Sequence, residues 1–146
     1  MSRRVSVHHF VASLTTRRYD TGQRTSDLLG VNYWREVPAD AEFPRTLNRL
    51  DLFARFYLFD AKPVEFIVQL VWNDHPSRES KVIGDYGPFR VGFRRDDAVR
   101  DAVFHLPMIR LQGAGLHSIE LLRERKRGWQ TGELVTIAKT HFLVER

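Results

Sequence analysis

Leu50, Leu52, Ala54, Phe56 and Leu58 fall on one side of a two-residue period, with Asp51, Arg55 and Tyr57 on the other. Such alternation marks an extended strand with one dry face. Val64, Phe66, Val68, Leu70 and Trp72 repeat it. The two runs are separated by Asp60-Ala61-Lys62-Pro63, a connection suited to a hairpin, so the spacing predicts that they pair antiparallel. Further strands are expected over residues 5–14, 28–37, 81–84 and 89–94, the last alternating Phe89, Val91 and Phe93 with Arg90, Gly92 and Arg94. Residues 102–109 read as a strand interrupted or ended by Pro107. Residues 116–124 and 134–144 read as a final antiparallel pair turning within 125–132, and residues 96–101 as one helical turn or a loop.

Turn-forming residues punctuate these runs, among them Asp20-Thr21-Gly22 and Asn73-Asp74-His75-Pro76-Ser77. No long segment shows a helical period bounded by caps. About eight or nine strands with short polar connections predict an all-β fold, a two-layer antiparallel β-sandwich of immunoglobulin-like type. A closed barrel is the second choice. No repeat or linker divides the chain, so residues 1–146 are expected to form a single domain.

Composition narrows the picture. A chain of 146 residues, 42% hydrophobic and 28% charged, can bury one core and lacks the depleted composition of a disordered segment. The apolar runs Phe66-Ile67-Val68 and Leu70-Val71-Trp72 are interrupted by Gln69 and are far shorter than a membrane helix. Met1-Ser2-Arg3-Arg4 before an apolar stretch has the outline of a signal peptide, but His8-His9 breaks that stretch, and a strand is the expectation. With no cysteine there is no disulfide, thiolate site or cysteine nucleophile, which favours a reducing, cytoplasmic setting. The net charge of +5 suits acidic partners and solubility but says nothing about fold.

One likeness emerges from the order of features. The opening strand at 5–14, Leu29-Gly30-Val31, the step Phe43-Pro44 and the late Gly115-Leu116-His117-Ser118-Ile119-Glu120-Leu121 follow one another along most of the chain. The last segment is similar to a Gly-x-Tyr-x-Phe-x-Leu pattern on a penultimate sandwich strand, with His117 where an aromatic is usual. In this order the chain resembles a family of small bacterial immunoglobulin-like β-sandwich domains of unknown function. The resemblance implies a fold and no activity.

Candidate chemistry is sparse. His8 and His9 are adjacent, so in a strand they point to opposite faces and cannot share an ion. His117 and His141 lie on strands expected to pair, but their register is open and no carboxylate accompanies them at a telling interval; scattered surface or half-buried histidines are the expectation, with no metal site. There is no Gly-x-Ser-x-Gly elbow and no Ser-x-x-Lys pair. Asp96, Asp97 and Asp101 alternate with Arg94, Arg95 and Arg100 and read as a solvated, internally paired loop. Leu111-Gln112-Gly113-Ala114-Gly115 lacks the third glycine, helix and lysine of a phosphate loop and reads as a tight turn. No catalytic residue and no cofactor is therefore assigned. Trp34 and Trp72 are expected in the core or on a sheet face.

The most unusual local feature is Arg123-Glu124-Arg125-Lys126-Arg127-Gly128-Trp129. At a hairpin tip these cations and the indole form a contact surface, and Arg123, Arg125, Arg127 and Trp129 are the expected partner-binding residues. The chain is read as a non-enzymatic interaction module that presents loops or a sheet edge to a protein partner or a second copy. The first alternative is nucleic-acid binding through residues 123–129, with phosphates met by the cations and a base by the indole. The second is a hydrolase or carbohydrate-active domain, which requires a concave pocket with convergent polar groups.

Overall fold

A computed structural model describes residues 5–18, 26–31, 34–36, 40, 42–58, 64–92, 99–127 and 130–145. Its elements are β1 (Val5–Arg18), β2 (Ser26–Val31), β3 (Trp34–Glu36), β4 (Arg45–Leu58), β5 (Val64–Trp72), β6 (Lys81–Val91), β7 (Val99–Leu111), β8 (Gly115–Arg127) and β9 (Gln130–Glu145). The fold is all-β, and no helix occurs among the described residues. Two sheets form, one ordered β2-β1-β4-β7 and the other β3-β9-β8-β5-β6. Every pairing is antiparallel except β3 with β9, which is parallel. Among the described residues no helix is long and apolar enough to cross a membrane.

The alternation of β4 and β5 builds the interior. Leu50, Leu52, Ala54 and Phe56 of β4 and Val64, Phe66, Val68 and Leu70 of β5 are buried in one core cluster. Phe56 stacks on Phe66 with ring centroids 5.0 Å apart, and Phe104 of β7 meets both rings edge-on at 6.4 and 6.3 Å. Phe89 of β6 closes the cluster, 5.1 Å from Phe104. Offset and edge-to-face contacts of this kind add to the energy of area burial.

The antiparallel β4–β5 hairpin predicted from sequence does not form. β4 pairs with β1 and β7, whereas β5 pairs with β6 and β8, so the two strands face each other across the core instead of sharing a sheet. Either arrangement buries the same alternate residues, which is why periodicity does not choose between them. The connecting residues 59–63 lie outside the described ones.

Other expected boundaries also shift. The run at 28–37 divides into β2 in one sheet and β3 in the other. The run at 81–84 and the start of the run at 89–94 join in one strand, β6, which bulges twice against β5. β7 continues past Pro107 to Leu111; it is an edge strand, where a missing N–H is tolerated. Residues 99–101, expected in a helical turn or loop, open β7 instead, while 93–98 are outside the described residues. The expected β8–β9 pair forms along its length.

Strand directions give the sandwich two ends. β4, β6 and β8 finish, and β5, β7 and β9 begin, at one end, the tip. The base carries residues 73–80, between β5 and β6, and residues 112–114, between β7 and β8.

Candidate functional site

At the tip, one hairpin outruns its neighbours. The β5–β8 ladder ends at Phe66 opposite Arg123, but the β8–β9 ladder continues through Arg125 opposite Glu133 to Arg127 opposite Gln130. Beyond Arg123 the two strands therefore pair only with each other among the described residues, as a two-stranded arm. Arg123 shares the inward-facing row of Phe66 and is half-buried at the root of the arm, where it is engaged. Gly132 N–H donates to Glu124 Oε1 at 3.0 Å and ties the arm across its width. The backbones of Arg125 and Arg127 are on β8; their side chains, and all of Trp129, lie outside the described residues.

The base carries a denser cluster that the sequence only hinted at. Trp72, His117 and Phe142 stand opposite one another on β5, β8 and β9. His117 is layered between the other two rings, 6.2 Å from Trp72 at 7° and 5.1 Å from Phe142 at 17°. It is completely buried, with Nδ1 3.0 Å from the Gly115 carbonyl and Nε2 lacking any partner. Donation from Nδ1–H leaves Nε2 as a bare acceptor against hydrocarbon. Burial holds the imidazole below its ordinary pKa, outweighing the Gly115 bond and the charge of Asp74, which favour protonation.

The loops around this stack are fitted to it. Trp72 Nε1–H donates to Ala114 O at 2.9 Å, and a Cβ on Gly113 would collide with the indole. Gly115 takes φ 111, and a Cβ there would press on the Asp74 carboxylate, which accepts Leu116 N–H at 2.7 Å. Asn73 bonds Ser118 Oγ at 2.9 Å, and Ser77 bonds His75 Nδ1 at 2.6 Å. Residues 111–115 thus make the tight connection expected of them. These polar groups hold two loops to the ends of three strands.

His117 departs from the expectation of surface or half-buried histidines. The signal was present: His117 shares its alternation with Ile119 and Leu121, both fully buried. His141 stands opposite Ser118, one residue out of step with His117, so the two histidines occupy opposite faces of the sheet and cannot share an ion. Among the described residues no three His, Asp or Glu side chains gather as an ion site.

No protein-family model and no curated protein matches the chain. Among solved structures, the chain is similar to the Pseudomonas fluorescens alkylpurine DNA glycosylase AlkC bound to DNA containing an abasic site analog, at TM-score 0.49 and 11% identity over 97% of this chain and 30% of that one. It is similar to the Listeria innocua β-glucosidase in complex with glucose at TM-score 0.42 and 7% identity, over 99% of this chain and 16% of that one. For the Thermotoga neapolitana β-glucosidase 3B in complex with α-D-glucose the values are 0.34 and 8%, over 92% and 17%. The chain spans less than a third of the length of each.

A third group of side chains lies on the outer face of the β2-β1-β4-β7 sheet. Asp51 of β4, with no exposed surface, bonds His105 Nδ1 of β7 at 2.7 Å, while the His105 side chain is 61% exposed. Four residues further along β4, Arg55 grips Asp101 of β7 through two bonds of 2.8 and 3.0 Å. The paired carboxylate, chiefly through its hydrogen bond, raises the Arg55 pKa. Between these pairs Phe53 is buried on the same face, beneath the Arg55 guanidinium 5.9 Å from its ring centre. Asp101 thus departs from the expected loop pairing with Arg94, Arg95 and Arg100. Arg100 stands in register with the core-facing Phe56, and its buried Nε has no partner.

Proposed function

We infer that this chain is a non-enzymatic interaction module of immunoglobulin-like type that presents the β8–β9 arm and its sheet edges to a protein partner. The strand order supports the type. In immunoglobulin-like sandwiches the second and fifth strands share one sheet and the third, sixth and seventh the other, joined in a Greek-key path. Here β4 and β7 share one sheet, β5, β8 and β9 share the other, and β6 flanks β5 as an added strand does in variable-type domains. The likeness to small bacterial sandwich domains belongs to the same proposal.

The observation that carries the reading is the arm itself, a pair of strands continued past the end of the β5–β8 ladder. Its β8 side reads Arg123-Glu124-Arg125-Lys126-Arg127, and Trp129 follows. Extending a ribbon beyond the layer that supports it costs backbone order without adding core, which makes sense for a contact surface. Arginine and tryptophan are the side chains most able to anchor such contacts. Elsewhere, the polar groups of the base are engaged in holding loops to strands.

The test replaces Arg123, Arg125, Arg127 and Trp129 together by alanine, with circular dichroism to confirm folding. A protein partner identified by cross-linking of the native chain and then purified should bind the variant at least about tenfold more weakly, a loss of about 1.4 kcal/mol. Unchanged affinity would remove the arm from the interface. The arm also favours a second reading, because a two-stranded ribbon fits the major groove of duplex DNA. That reading expects affinity for duplex DNA to fall steeply between low and moderate salt.

A further inference from the structure

Among the described residues the outer edge of β7 pairs with no strand, and it carries an order of side chains that a second copy of the same edge would match. β7 is the outermost strand of its sheet, with β4 on its inner side. Residues 99–106 keep a regular register with β4, after which Pro107 supplies no N–H and Met108 turns to φ 53. The neighbouring edge, β6, is shifted twice against β5 and kinked at Gly87 with φ 116, features that blunt an edge. β3 is three residues long. The β7 segment 99–106 is a longer and more regular edge than either.

On the solvent face of that segment stand Asp101, Val103 and His105. Asp101 is held by Arg55 and His105 by Asp51, with Val103 midway, opposite the buried Phe53. We propose that two copies of this chain associate by antiparallel addition of β7 to β7, about a twofold axis through Val103. This inference deepens the interaction-module reading by naming one partner and one edge.

In that register Asp101 faces the partner's His105, Val103 faces the partner's Val103, and His105 faces the partner's Asp101. Directly opposed residues of antiparallel strands share a face, so each contact extends a pair already present within the subunit. One row then runs Arg55, Asp101, the partner's His105 and the partner's Asp51. His105 Nδ1 already meets Asp51 within the subunit, and the far side of its ring faces the partner's Asp101, so the row joins polar side chains across four strands. The twofold axis generates the same row in reverse. Between them runs an apolar row of Phe53, Val103, the partner's Val103 and the partner's Phe53. A twofold contact requires such self-complementarity, because the same patch serves both subunits. The same charges discourage any strand that does not mirror them, since an edge carboxylate facing a like charge or an apolar residue is unfavourable.

The axis residue provides the test. Val103 is half-buried at the outer face of an edge strand, a site that tolerates a charged side chain. The native chain is expected to sediment as a dimer in the micromolar range. Val103→Lys and Val103→Glu, each folded by circular dichroism, should each be monomeric, because two like charges meet on the axis. An equimolar mixture should form the Lys–Glu heterodimer. Val82→Lys on the β6 edge should leave the native dimer intact. A monomeric native chain, two dimeric charge variants, a mixture that stays monomeric, or a dimer lost on Val82→Lys would each overturn the proposal. None of these variants touches the β8–β9 arm, so failure here leaves the arm to be judged by its own experiment.

Discussion

His117 concentrates the energetic tension of the molecule in one side chain. Its ring is fully buried between Trp72 and Phe142, and one nitrogen lacks a partner. Because burial lowers its pKa, the unfolded chain takes up the proton first as the solution is acidified. The stability this residue contributes is complete above about pH 6.5, the ordinary value, and declines as pH falls from there through the depressed value of the folded state. The slope for one proton is at most about 1.4 kcal/mol per pH unit. Urea midpoints of the native chain and of His117→Phe, compared at about pH 7.5 and about pH 5, should show the native chain losing more. A second residue prediction concerns Gly113, where alanine would drive its Cβ into the Trp72 indole. Gly113→Ala should cost about 1–3 kcal/mol, read by chemical denaturation. The period-two pattern aligned His117 with Ile119 and Leu121, but the expectation of a surface or half-buried histidine passed that signal over. The pattern was silent on the stack, which depends on the register among β5, β8 and β9.

At the level of elements, strands were legible, but of the two expected pairings only β8 with β9 formed. Residues 64–72 emerge as β5 with the bounds their alternation implied, since a strand buried along one face writes its limits into its side chains. The division of residues 28–37 between two sheets left no mark, because β2 and β3 are short and follow one another closely. The β4–β7 ladder shows what pairing adds. Asp51 and Asp101 look alike in sequence, yet one is sealed from solvent and the other meets a partly exposed arginine. His105→Ala removes a donor from a buried carboxylate and should cost about 1–3 kcal/mol. Asp101→Ala breaks a bridge whose Arg55 side chain is 33% exposed and should cost under about 1 kcal/mol. Parallel urea titrations of the two variants check the order.

For the whole molecule, the aromatic cluster holds the sheets together and the arm stands apart from it. Phe66 is fully buried and touches Phe56 and Phe104 across the layers, so Phe66→Ala should cost about 3–5 kcal/mol, measured by thermal or chemical unfolding. Composition and alternation narrowed the architecture to two facing sheets or a closed barrel, since either buries many one-sided strands. The arm was readable as a basic run but not as a ribbon paired only with itself among the described residues, because only the end of the β5–β8 ladder reveals that.

Val5 begins β1 beside the last residue of β4, at the tip, whereas Glu145 ends β9 at the base beside Glu36. A tether pulled from these two points runs along the strand axes, so the hydrogen bonds of the ladders lie across the line of traction and must slide together. Pulling from Val5 and Gln130, which share an end, would instead part them one after another. Force spectroscopy with handles at residues 5 and 145 should therefore record a markedly higher rupture force than with handles at 5 and 130, giving this small sandwich a direction in which it is tough.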